Sequence, residues 1–143
     1  VTALVLAAIL TLAPALQRET AERYAADIAL AADGDIDLAY ALVATQHVES
    51  SWRLSVETCA VTGDGGRAVS AFQMHRHWWA GYSRAEVCGS NALATSLAAS
   101  ALVALEHRTG GMAGALRAFV GCKPGDPRSV RRIKAYRQIG GAS

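Results

Sequence analysis

Proline is scarce, at three of 143 residues, and charged residues make up only 18% against 52% apolar. So low a charge fraction with so much apolar material excludes an intrinsically disordered chain. No apolar run reaches the ~20 residues that cross a bilayer as a helix. The three cysteines, Cys59, Cys88 and Cys122, show neither a CxxC spacing nor a zinc-finger pattern. What is abundant is alanine, 30 of the 143 residues. Much alanine with little proline predicts helices and argues against a β-sandwich or barrel. The length suits one domain with a real core and is too short for two. The expected fold class is a mostly α, single-domain fold.

The net charge of +2 conceals an uneven distribution. Residues 1–122 carry eight Lys/Arg against eleven Asp/Glu, whereas residues 123–143 carry six basic residues against Asp126 alone. Such a tail attracts polyanions, or it is simply a solvated helix face. Residues 1–17 are uncharged, with an apolar stretch over 3–12 followed by Ala13-Pro14-Ala15. That pattern fits a signal or membrane-anchor segment, and a first core helix is the alternative. Cys59 and Cys88 flank one polar, loop-rich segment. In an oxidising compartment a disulfide would close it and leave Cys122 free; three reduced thiols are the other reading.

Along the chain, a helix is expected over 20–32, stopped by Asp33-Gly34. Asp35 or Asp37 caps a second helix to about residue 51. A polar stretch over 53–70, containing Gly63-Asp64-Gly65-Gly66, predicts loop or a short hairpin. Ser90 or Asn91 opens a long helix ending at Gly110-Gly111, and 112–120 form a short one. Asp126-Pro127 caps and starts a last helix to about residue 139. The picture is a helical domain with one irregular polar insert.

Glu49 stands out on helical spacing, because Leu38, Glu49 and Leu42 fall at adjacent angles and place the carboxylate on an apolar stripe. A helix C-terminus disfavours negative charge, and apolar neighbours disfavour the ionised form, so both effects raise its pKa. A carboxylic acid kept protonated near neutral pH is what general-acid catalysis requires. The competing reading puts Glu49 at the rim with its head in water. Asp64 lies in a Gly-rich turn, where Asp is common for turn reasons alone. His75 and His77 could join Glu49 around a metal, but a third matching His or Cys ligand is missing, so no metal is expected. There is no nucleophile elbow. Trp52, Phe72, Trp78, Trp79 and Tyr82 gather around the insert, as core packing or as walls of a groove for a sugar polymer.

The order of Glu49-Ser50-Ser51-Trp52, then Ser70-Ala71-Phe72-Gln73, then Arg117-Ala118-Phe119-Val120-Gly121 resembles the lysozyme-like superfamily, nearest to soluble lytic transglycosylases and goose-type lysozymes. The likeness covers roughly residues 36–139 and makes residues 18–143 a lysozyme-like catalytic domain. It implies that Glu49 is the catalytic acid, that Ser50 matches the neighbouring family hydroxyl, and that Gln73 matches the groove glutamine. Phe72 stands where the family has Met. Phe119 and Val120 stand where it has Tyr and Asn, so a phenolic hydroxyl and an amide are missing; Tyr40, Tyr82 or Tyr136 are the substitutes to consider. Gly63-Asp64 precedes Gln73 by the interval of a goose-type Gly-Asp pair, whose Asp positions the attacking water. The second goose-type aspartate is here His75.

The resemblance thus implies a muramidase acting on the β-1,4 bond between N-acetylmuramic acid and N-acetylglucosamine. Glu49 and Asp64 would be catalytic, and Ser50, Phe72, Gln73, His75 and Phe119 substrate-binding. No metal or organic cofactor is implied. The expected partner is the peptidoglycan glycan strand, not nucleic acid. The protein is expected to be a monomer that is secreted, periplasmic, held at the cell envelope or deployed from a phage. Hydrolysis is favoured over transglycosylation to 1,6-anhydro products. A non-catalytic wall-binding module is the alternative from another class, and a helical nucleic-acid binder led by residues 123–137 is a third.

Overall fold

A computed structural model describes residues 1–119 and 125–141. Among them are eight α-helices: α1 (Thr2–Leu12), α2 (Arg18–Ala32), α3 (Ile36–Ser50), α4 (Leu54–Glu57), α5 (Arg84–Gly89), α6 (Asn91–Thr109), α7 (Met112–Ala118) and α8 (Pro127–Gln138). The chain is mostly helical, as its composition requires. Helix α3 is the axis of the fold and touches α1, α2, α6, α7 and α8. Its residues Leu38, Ala39, Ala41, Leu42, Val43 and Ala44 are all buried. A helix apolar on every side must lie inside, since no face of it suits water. The many small alanines let its neighbours approach closely.

The expected ends are realised by specific bonds. The Asp35 carboxylate accepts from the amides of Asp37 and Leu38 at the start of α3, which satisfies donors that no helical carbonyl can reach. Ser90 caps α6, and Gly110 closes it at φ 83°, a conformation that glycine adopts without strain. Asp126 caps α8 ahead of Pro127. Helix α1 packs against α2 and α3 with Val5, Ala8 and Ile9 buried, so within this fold it is a core element. No helix among the described residues is long and apolar enough to cross a membrane.

The polar insert, expected as loop or a short hairpin, carries hairpin-like bridges between short helices. It begins with α4 and ends with α5, which opens on a capping box. The Ser83 hydroxyl accepts from the Glu86 amide, while the Glu86 carboxylate accepts from the Ser83 amide. Between them, antiparallel bridges join Gly63 to Ala68 and Val69 to Met74. Buried Val69, Ala71, Phe72 and Met74 fasten the insert to the helical core. A bidentate pair from Arg23 on α2 to Glu57, at 2.7 and 3.1 Å, holds its near end.

Cys59 and Cys88 form a disulfide across this insert, 29 residues apart. Cys122 lies outside the described residues, as does Val120. The chain-entropy model gives about 3–4 kcal/mol for closing a loop of this length. Reducing the bond is therefore expected to lower the urea midpoint by that much stability. Mass mapping of an unreduced digest should recover the Cys59–Cys88 pair; a bond from Cys122 to either partner would contradict it.

Candidate functional site

The C-terminal turn of α3 is built to hold Glu49 still. Ser51 and Trp52 both take left-handed backbone conformations, at φ 50° and 55°. Two successive non-glycine residues there are strained and persist only where surroundings over-determine them. The bonds that do so are explicit. The Ser50 hydroxyl donates to the Gln46 carbonyl at 2.9 Å and accepts from the Trp52 amide at 3.3 Å. The Ser51 amide returns to the carbonyls of Gln46 and His47. The Tyr24 hydroxyl donates to the Trp52 carbonyl.

The Glu49 side chain is 3% exposed, so the reading that left its head in water is overturned. It faces Arg132 on α8, whose side chain is wholly buried and donates through Nη1 to Glu49 Oε1 at 2.5 Å. The same guanidinium donates through Nε to the Leu116 carbonyl at 2.9 Å and through Nη2 to the Phe119 carbonyl at 3.2 Å. Arg132 thus ties the open end of α7 to the open end of α3 and satisfies carbonyls that a helix terminus leaves orphaned. Burial pushes the Glu49 carboxyl above its ordinary value of 4.5, and the charges of Arg132, Arg128 and Arg131 pull it down by less. Nearby His47 is held below its ordinary value by burial and by Arg131.

A second cluster lies in the insert. The Asp64 carboxylate is half-exposed and pairs with Arg67 at 3.1 Å and His75 Nε2 at 3.2 Å. Gln73 is buried, takes φ 49°, and donates to the Ser70 carbonyl at 2.9 Å. Its Oε1 would lie 2.5 Å from a Cβ at position 63, so a side chain there would displace the Gln73 amide. Asp64, Gln73 and His75 are therefore brought around one turn. Among the described residues, their bonds stay inside the insert, whereas Glu49 bonds across helices to Arg132.

Three of the proposed substrate contacts sit elsewhere. Phe72 and Phe119 are completely buried and pack in the core. Ser50 is buried too, and its hydroxyl is occupied in the α3 turn. As placed, none of the three offers a surface to a polymer; of the five, His75 is the one with substantial exposure. Nor does Tyr136 stand in for the missing phenol. Its hydroxyl donates to Asp37, twelve residues and about 18 Å along α3 from Glu49. The polar partner that Glu49 does have is Arg132, one of the basic residues of the C-terminal tail. Its signal was helical spacing: Ser129, Arg132, Ile133 and Tyr136 share the inner face of α8, while Arg128, Arg131, Lys134 and Arg137 point outward. Among the described residues, the basic tail is therefore mainly a solvated face with one guanidinium turned inward.

Comparison of the chain with protein-family models, with curated proteins and with solved structures gives no match.

Proposed function

We propose that the protein is a peptidoglycan-cleaving glycosidase of lysozyme-like fold, with Glu49 as its general acid. The observation that carries this reading is a carboxyl at a helix terminus, buried so that its proton is held above the ordinary range, with Arg132 fixed against it. Glu49 gives its proton to the leaving glycosidic oxygen as the bond breaks through an oxocarbenium-like state. The carboxylate left behind is stabilised by Arg132 at once, since the guanidinium is already in place and needs no reorganisation. The Cys59–Cys88 bond supports a protein that works in an oxidising setting such as the cell envelope or outside the cell.

Asp64 supports hydrolysis as the favoured outcome. It is a carboxylate with substantial exposure, oriented by His75 and Arg67, and able to hold a water for attack on the sugar. A lytic transglycosylase needs no such partner, because the substrate's own C6 hydroxyl closes the anhydro ring. The test is incubation with purified peptidoglycan and mass spectrometry of the released muropeptides. Reducing ends, with strong impairment in Asp64→Asn, are expected. Anhydro ends from an enzyme indifferent to Asp64→Asn would move the assignment to the transglycosylases. Retention on the wall without any cleavage would favour the binding module.

A further inference from the structure

Beyond the Asp64 pairings, the insert gathers more positive charge than its own folding uses. A cavity of about 680 Å³ is lined by Arg67, His75, Arg76, His77, Trp79 and Arg84. Three guanidiniums and two imidazoles thus face one space. Among the described residues, the carboxylate bonded to this lining is Asp64, which Arg67 and His75 share. Arg84 is held by the Gly66 carbonyl at 3.2 Å, a neutral acceptor that leaves its charge uncompensated. Arg76 lies over the Trp79 ring, 4.5 Å from its centroid. Glu86, the nearest acid in sequence, accepts from the Ser83 amide in the capping box of α5. Arg76 and Arg84 therefore present planar N–H forks already positioned, one by stacking and one by a backbone bond.

We infer that this cavity is an oxyanion-binding site, and, resting on the peptidoglycan reading, that its ligand on the wall is a carboxylate of the peptide stems. Guanidinium forks match carboxylate and phosphate oxygens in pairs. The open cleft has room for a ligand of short-peptide size, and the peptidoglycan reading supplies the carboxylate. Trp79 is buried beneath Arg76, so its part is to hold that guanidinium in place. A glycosidase holding the stem in this way would select strands that still carry their peptides.

The experiment is an NMR titration with acetyl-D-alanyl-D-alanine, its C-terminal amide and inorganic phosphate, following the His75 and His77 imidazoles and the Trp79 indole. The free acid is expected to shift all three, and the amide to bind at least tenfold more weakly. Arg76→Ala and Arg84→Ala, both at exposed positions, should each weaken the acid by about tenfold, the scale of one charge-assisted bond. Added salt should weaken it as well. Equal binding of acid and amide, no shift at millimolar peptide, or phosphate binding as tightly as the peptide would each overturn the inference. Peptide binding by a protein that leaves peptidoglycan intact would keep this site and sink the enzyme reading. Cleavage without peptide binding would do the reverse.

Discussion

Glu49→Gln is expected to slow the clearing of purified peptidoglycan by at least ~100-fold, the lower end of what a positioned general acid contributes. Glutamine keeps the shape of the side chain and an oxygen for the Arg132 N–H, so the fold is retained while the transferable proton is lost. The pH dependence follows from the same group. The acid is competent only while protonated, and burial holds its pKa above 4.5, so wild-type clearing should fall as pH rises through that raised value. Residual clearing by the variant should lack this fall. Rates are measured beside melting curves, so that unfolding is not read as lost chemistry. Equal clearing by variant and wild type would remove Glu49 from the mechanism.

The helix framework is legible in the sequence because its stops and starts are local chemistry. Asp35, Ser90, Gly110 and Asp126-Pro127 each work through bonds to residues within a few positions. Helix α5 is legible on the same terms, since Ser83 and Glu86 carry the S-x-x-E pattern. Phe72 and Phe119 show the opposite limit. Whether an aromatic residue lines a groove or fills a core depends on which elements cover it, and that is long-range information. Glu49 could be singled out because burial and helix position both follow from its own helix. Arg132 could have been placed inward by spacing, yet its pairing with a carboxylate 83 residues earlier is a tertiary fact. A run of six basic residues reads as a charged surface until one of them is seen to occupy an apolar face.

That pairing gives the largest expected effect on stability. Arg132→Met keeps much of the side-chain volume but leaves the buried Glu49 without its counter-charge, and leaves the Leu116 and Phe119 carbonyls without this donor. Breaking one side of a buried pair costs about 3–5 kcal/mol, to be read from urea unfolding near neutral pH. The loss should depend on pH in a defined direction. Without Arg132 the folded-state pKa of Glu49 rises further above the unfolded value, because the main opposing charge is gone. The folded state then binds the extra proton, so stability is greatest below about 4.5 and falls as pH rises through the elevated folded value. Wild-type stability should fall less over the same span, since Arg132 favours the ionised carboxylate. The double variant Glu49→Leu with Arg132→Met removes both charges and should recover much of the single variant's loss near neutral pH, as buried pairs replaced by apolar groups often do. The cycle isolates the pair from the carbonyl bonds, which are absent in both Arg132 variants. A single variant that loses less than about 1 kcal/mol, or a double variant no more stable than it, would show that the pair does not hold α8 to the end of α3.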